Sequence, residues 1–115
     1  MSYKKSRFIL SFILLTMSAN VLSKEVLIPR SVPGDKGKYF LIEKKKTRSI
    51  VKALHKRVGV DSVGYTLTET NCTTMKMREL GYSEISAASI KQEPTKWFDL
   101  VPGSSKSDLA KFVCK

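Results

Sequence analysis

Several residue types are scarce in this chain. It has two cysteines, four prolines and six glycines among 115 residues, which excludes a multi-cysteine knot and a collagen-like repeat. Acidic residues are also few, with 10 Asp and Glu against 21 Lys and Arg, so the formal net charge is +11. Hydrophobic residues still make up 42% of the chain. That share is too high for a disordered polyelectrolyte, and the length suits one domain.

Residue patterns that carry catalysis are lacking as well. The only histidine, His55, lies in a basic segment without a nucleophile or carboxylate in a catalytic motif. The acidic residues are scattered singly, and Gly34 and Gly37 belong to a Pro-Gly turn rather than a phosphate-binding loop. No His, Cys and Asp residues have metal-ligand spacing. We therefore expect no enzymatic activity and no cofactor or metal, with His55 in a structural role.

The N-terminus has the pattern of a secretory signal. Lys4, Lys5 and Arg7 form a positive head, which ten mostly apolar residues, 8–17, follow. That stretch is short for a retained membrane anchor, which needs about twenty apolar residues. We predict cleavage between Ser23 and Lys24. Residues 24–115 would then be a single small exported domain, periplasmic or secreted and not integral to the membrane. The leader removes three basic residues and no acidic ones, which leaves 18 against 10 and a net charge of +8.

Two cysteines, Cys72 and Cys114, lie in the predicted exported part. An even number of cysteines in an exported chain favours a disulfide. The alternatives are a metal site and a reactive thiol, but neither cysteine has a histidine beside it. A bridge between them would close a long loop and contribute roughly 4 kcal/mol in the chain-entropy estimate. We expect this disulfide to be structural.

Hydrophobic patterning predicts a small antiparallel sheet followed by a helix. Strands are expected at 25–28 and 38–43, and a long alternating strand at 65–80, with turns at 31–38 and 59–64. The basic run 44–48 is expected to be a turn or strand end, and 83–94 a loop or weak strand.

Two further segments are less uniform in pattern. Residues 49–58 fit either a strand or a helix, and the flanking turns favour a strand. At the C-terminus, Ser105 and Asp108 have the spacing of a helix-capping box ahead of apolar residues at helical intervals. The expected class is therefore α+β, with the terminal helix tied to the sheet by the disulfide.

The second half of this pattern resembles the small exported bacterial domains grouped with surface-adhesin protein E. The resemblance covers roughly 65–114 and has mostly structural motifs. Its residues are Cys72 followed by Lys76 and Arg78, Gly81 with Tyr82, the apolar run 97–101 that begins with Trp97, Pro102-Gly103-Ser104, and the final Val113-Cys114. It implies a disulfide, a core aromatic residue and a helix start. It also implies binding to host or matrix components, although no binding residue carries over by motif.

The excess of positive charge is the main functional signal. Seven residues form the candidate site for an anionic ligand: Lys44, Lys45, Lys46, Arg48, Lys52, Lys56 and Arg57. Lipopolysaccharide, anionic lipid or glycan would be attracted electrostatically, whereas no motif indicates a specific nucleic-acid site. Tyr39, Phe40 and Tyr65 lie nearby and suit either ligand stacking or the core. The alternative interpretation is a solvated face that only keeps the protein soluble.

Two functions fit these observations. The first is a non-enzymatic, basic binding or adhesion protein of the bacterial envelope or exterior. The second is an accessory envelope protein, either part of a secretion or conjugation system or an inhibitor of a wall-active enzyme, with a specific protein partner. Salt-sensitive binding would distinguish the first from the second.

Overall fold

A computed structural model describes residues 24–115; the predicted signal segment, 1–23, and its proposed cut lie outside the described residues. Within residues 24–115, six strands and one α-helix follow one another, with a short 3₁₀ helix at Ala87–Ser89. The strands are β1 (Val26–Leu27), β2 (Lys38–Thr47), β3 (Ile50–Val58), β4 (Val63–Asn71), β5 (Lys76–Ser83) and β6 (Phe98–Asp99), and the helix is α1 (Ser105–Val113). All neighbouring strands are antiparallel, in the order β1-β2-β3-β4-β5-β6. The predicted α+β class with a C-terminal helix is confirmed.

Strand β3 settles the ambiguity of residues 49–58. Val51, Ala53 and His55 are buried, whereas the residues between them are exposed or half-buried. This period of two is that of a strand with one face against a core. The helical alternative is wrong, because β3 pairs on both sides, with β2 and with β4.

One of the expected strands is wrong. The long strand expected at 65–80 is a hairpin, since residues 72–75 turn between β4 and β5. The side chain of Asn71 accepts hydrogen bonds from the backbone N–H of Thr73 and Thr74 at 2.9 and 3.1 Å, and Met75 adopts a positive φ of 55°. An Asn side chain that bonds to the backbone ahead of it favours such a turn. The basic run 44–48, expected as a turn or strand end, is confirmed: residues 44–47 are the end of β2, and the chain reverses at Arg48, where φ is 60°.

The hydrophobic core lies between α1 and one face of the sheet. The sheet contributes Leu41, Val51, Ala53 and Met77, and the residue that follows β1, Ile28, closes one side. The helix contributes three buried residues: Leu109, Ala110 and Val113. Ala53 and Ala110 are fully buried, and their small side chains suit a close approach of helix and sheet. The opposite face of the sheet, called the outer face below, has no helix of the described chain against it.

The start of α1 differs by one residue from the expected capping box. Ser104, rather than Ser105, is the N-cap, and its Oγ accepts a hydrogen bond from the N–H of Ser107 at 3.1 Å. Asp108 does not turn back toward the cap. Its carboxylate accepts bonds from Arg30 Nε at 2.7 Å and from the N–H of Ser31 at 3.0 Å. The acidic residue of the motif therefore joins the helix to the N-terminal segment.

Both ends of α1 are tied to distant parts of the chain. At its C-terminus, Cys114 and Cys72 form the predicted disulfide, with an Sγ–Sγ distance of 2.01 Å. At its N-terminus, Arg30 reaches Asp108, the carbonyl of Gly103 at 3.0 Å and Asp35 at 3.1 Å. The helix is thus fixed covalently at one end and by charge-assisted hydrogen bonds at the other.

The segment between β5 and β6 lies along the edge of β5. Glu93 and Thr95 donate backbone hydrogen bonds to the carbonyls of Leu80 and Glu79, at 2.7 and 2.9 Å. Trp97, the expected core aromatic residue, is 39% exposed, so that expectation is wrong. Its ring instead lies 4.9 Å from the guanidinium carbon of Arg78.

Neither helix within residues 24–115 is long and apolar enough to span a membrane.

Removal of the disulfide tests its share of the stability. The double substitution Cys72→Ala with Cys114→Ala is expected to lower the free energy of unfolding by roughly 4 kcal/mol, because the unfolded chain regains the freedom that the closed loop removes. Urea unfolding followed by circular dichroism measures this loss. Reduction of the unaltered protein serves as the matched control and should give a similar loss. Equal unfolding midpoints for the oxidised and cysteine-free proteins would contradict the prediction.

Asp108→Asn tests the tie at the start of α1. Burial alone raises the pKa of Asp108, but the bonds from Ser31 and Arg30 outweigh it and lower the pKa from 3.8 to about 2. The ionised carboxylate therefore stabilises the fold above pH 3.8, and this stabilisation is lost as the pH falls toward 2. We expect Asp108→Asn to cost about 2 kcal/mol at neutral pH and to flatten the stability profile between these two pH values.

The matched control for that variant is Asp61→Asn, which removes the same charge from an exposed turn residue with no ion pair among residues 24–115. Chemical unfolding at several pH values between 2 and 7 gives both profiles. If Asp61→Asn and Asp108→Asn lose the same stability, Asp108 has no special role.

Candidate functional site

The predicted anionic-ligand residues lie on the hairpin of β2 and β3. Lys45 and Lys52 stand directly opposite each other across the two strands. Both are exposed on the outer face, in a row that Glu69 of β4 and Arg78 of β5 continue. Two like charges directly opposite each other destabilise a strand pair. This pair therefore lowers the stability of the hairpin in the absence of a counter-charge.

Two lysines of the same hairpin lie on the face opposite the outer face. Lys44 is opposite Ala53 and Lys46 is opposite Val51, so both side chains lie on the side of α1. Both are nevertheless exposed, as is Arg48 in the turn. Five cations thus surround one end of the hairpin, which we call the basic hairpin end: Lys44, Lys45, Lys46, Arg48 and Lys52. Within the described chain, none of the five is in an ion pair.

Lys56 and Arg57 are not part of this group. They lie near the opposite end of β3, roughly 13 Å from Lys52 along the strand. Lys56 Nζ is 2.8 Å from Glu25 Oε1, and Arg57 Nη2 is 2.8 Å from Asp35 Oδ1. The structure therefore divides the seven predicted residues into five unpaired cations and two that join the N-terminal segment to the sheet.

Asp35 is the centre of the second group. Its carboxylate accepts hydrogen bonds from the guanidinium of Arg57, the hydroxyl of Tyr39 and the N–H of Gly37. These bonds, led by the one from Arg57, hold the pKa of Asp35 well below its usual range. Arg57 also lies against Gly37, where a Cβ would come within 2.4 Å of its Nε, so the glycine makes room for the guanidinium. Asp35 thus joins the loop before β2 to Tyr39 of β2 and Arg57 of β3.

Carboxylates near the basic hairpin end are few. Glu43 lies in β2 on the same face as Lys45, without an ion pair in the part of the chain described. Glu69 is opposite Lys52 but bonds to Arg78 at 2.8 Å. The aromatic residues close to the basic stretch in sequence do not lie at the basic hairpin end. Tyr39 belongs to the Asp35 group, and Phe40 and Tyr65 both pair with Lys56. The basic hairpin end therefore offers charge without a stacking platform.

A polar cleft lies on the other side of the sheet, between β3, β4 and the first turn of α1. Its volume is about 260 Å³. Its lining includes His55, Arg57, Glu79, Tyr82, Ser105 and Lys106. His55 is only 8% exposed, and its Nε2 has no hydrogen-bond partner among the described residues. Burial, and then the charge of Lys106, lower the pKa of His55 from 6.5 to about 4.

Sequence reasoning gave this cleft no role. A signal for it was present, because His55 continues the inward-facing series of Val51 and Ala53. What the sequence does not show is that α1 begins above that position. In the part of the chain that the structure describes, no three His, Cys, Asp or Glu residues come together as a possible metal site.

Comparisons of this chain with protein-family models, curated proteins and solved structures find no match. The resemblance to the surface-adhesin protein E group therefore stays a prediction from sequence motifs.

The buried histidine predicts a distinct pH dependence of stability. Its pKa is lower in the folded state than in the unfolded state, so the unfolded chain takes up more protons between pH 6.5 and 4. Stability should therefore fall as the pH drops through this range, by at most about 3 kcal/mol. His55→Leu keeps the position apolar and non-titrating, and its stability should stay level from pH 6.5 to 4. Urea unfolding at half-unit pH steps provides the comparison, and equal slopes for the two proteins would refute it.

Proposed function

We propose that this protein is an exported, non-enzymatic binding protein that uses the basic hairpin end to attach to a surface of clustered phosphate or sulfate groups. The observation that carries the proposal is the set of five exposed cations without a carboxylate partner in the described chain. Other basic side chains, including Arg30, Lys56, Arg57 and Arg78, have acidic partners within 3.1 Å. The hairpin end thus gathers five unpaired cations on one hairpin, whereas other unpaired lysines, such as Lys36, Lys91 and Lys96, lie in other segments of the chain.

The opposition of Lys45 and Lys52 supports this function. A cross-strand pair of like charges costs stability unless an anion neutralises it. Thr or Glu could replace any of the five cations at no cost to the core, because all five side chains are exposed. A polyanion would relieve the repulsion, and its binding would draw on free energy that the unbound protein stores locally.

The geometry favours an extended anionic surface over a single small anion. Strand alternation places cations on both faces of the hairpin and Arg48 at its turn. Such an arrangement presents charge in several directions and binds by Coulomb attraction, with strong dependence on salt. Lipopolysaccharide, anionic lipid head groups and sulfated glycans share the required chemistry.

Export is the second part of the proposal. The disulfide between Cys72 and Cys114 supports it, because stable disulfides form in oxidising compartments. The positive head and short apolar stretch before Ser23 support it independently. The periplasm and the cell exterior are also the places where lipopolysaccharide and matrix glycans occur.

Reversal of three charges tests the binding surface. The triple substitution Lys44→Glu, Lys45→Glu and Lys46→Glu should lower binding to vesicles with anionic lipid by roughly 100-fold, given about 1 kcal/mol for each lysine near such a surface. Co-sedimentation at low and at physiological salt measures the loss. Retention on immobilised heparin and on lipopolysaccharide, run in parallel, identifies which of the three anionic surfaces binds most tightly.

The matched control reverses the same number of charges elsewhere, with Lys36→Glu, Lys91→Glu and Lys96→Glu. These lysines are exposed and have no ion pair among residues 24–115. The control should retain most of the binding. Equal losses in both variants would mean that only net charge matters and would sink the proposal. Salt-insensitive capture of one envelope protein, unaffected by the hairpin variant, would favour the accessory role instead.

A further inference from the structure

The polar cleft at the start of α1 has the properties of a second, separate binding site. It encloses about 260 Å³, somewhat less than the roughly 300 Å³ at which pockets for drug-sized ligands begin. The basic hairpin end contributes none of its walls. A ligand in it would therefore be small and would be independent of surface attachment.

Three features of the cleft point to the charge of its ligand. Ser105 and Lys106, which line it, are the first two residues of α1, and the backbone N–H groups at such positions have no partner within a helix. The helix dipole adds partial positive charge at the same end. His55, nine-tenths buried in the wall, has an Nε2 atom without a hydrogen-bond partner in residues 24–115.

We propose that this cleft binds a small organic anion with a single carboxylate group, held by the first turn of α1 and Lys106 beside the imidazole of His55. The remaining charges in the cleft limit the ligand to one negative charge. Arg57 is already neutralised by Asp35 at 2.8 Å. Glu79 lies 3.8 Å from Lys106 and would repel a dianion such as phosphate. Lys106 is itself paired with Glu79, so an added carboxylate would share Lys106 with Glu79 and would owe its remaining attraction to the first turn of α1.

The walls are consistent with an organic rather than an inorganic anion. Ile28 and Leu109 supply apolar surface, and Tyr82 supplies an aromatic side chain. Hydroxyl groups come from Ser62, Thr66 and Ser105. A short hydroxy acid would find both kinds of surface in the same space. The class we assign is therefore a small carboxylate with an apolar or hydroxylated body.

Binding of such an anion would be coupled to the protonation of His55. A negative charge nearby favours the imidazolium form and offsets the opposing charge of Lys106. By linkage, the carboxylate should bind more tightly as the pH falls through the last unit above the pKa of His55, which is about 4 in the folded protein. The other charged or titratable side chains that line the cleft are Tyr39, Tyr82, Glu79, Arg57 and Lys106.

Nuclear magnetic resonance of the ¹⁵N-labelled oxidised protein tests the proposal. Titration with acetate and with lactate, up to about 50 mM at constant ionic strength, should shift the amide signals of Ser105 and Lys106 with a millimolar dissociation constant. The pKa of His55, read from its ring protons, should rise by at least about half a unit. Chloride at the same ionic strength should produce neither change, and phosphate should act more weakly than lactate.

Lys106→Gln is the decisive variant, with Lys111→Gln as its matched control on the same helix. Lys111 is exposed and lies outside the cleft. Lys106→Gln should abolish most of the carboxylate response, while Lys111→Gln should retain it. Amides that do not move with acetate or lactate, or an equal response in both variants, would overturn the proposal. The Lys44, Lys45 and Lys46 triple variant should keep the cleft response, so failure of one binding site does not imply failure of the other.

Discussion

The whole domain depends on how one short helix is held against a sheet much larger than itself. α1 has nine residues and covers one face of a six-stranded sheet. Three helix residues are fully part of the core, so the apolar area that drives this packing is small. An isolated helix of this length is not stable in water. The disulfide at Cys114 and the Arg30–Asp108 contact therefore replace the packing that a longer helix would provide.

The basic residues of the β2–β3 hairpin fall into two groups. At one end of the β2–β3 hairpin, Glu25 and Asp35 neutralise Lys56 and Arg57, and these ion pairs join the N-terminal segment to the sheet. At the far end of the β2–β3 hairpin, the described chain brings no carboxylate into an ion pair with the lysines. Basic residues thus take part in ion pairs at one end of the hairpin and are exposed without an ion pair, among residues 24–115, at the other.

Much of the architecture was predictable from local patterns, whereas the limits of the site were not. The period of two in β3, the terminal helix and the single possible cysteine pair all follow from residues close in sequence or from elimination. The turn after Asn71 was missed, since its Thr-rich surroundings continue the alternation and only the Asn side chain indicates a reversal. The division of the basic stretch was missed for another reason. The carboxylate that removes Arg57 from the group, Asp35, is 22 residues away, and no local pattern reports such a contact.

Three buried polar atoms on the core side of the sheet lower the stability of the fold. His55 Nε2 and the hydroxyls of Thr68 and Thr70 are buried without hydrogen-bond partners among residues 24–115, and each such group costs about 1–3 kcal/mol. Apolar residues at these positions would make the core more stable. A small domain with little stability to spare would be expected to use them. Thr68 and Thr70 face the core, where β-branched residues suit a strand. The preference of β-branched residues for strands does not explain a histidine. Of the three residues, His55 is the one that borders the cleft. A buried polar residue that lowers stability and borders a cavity is expected where ligand binding, rather than core packing, determines the choice of residue.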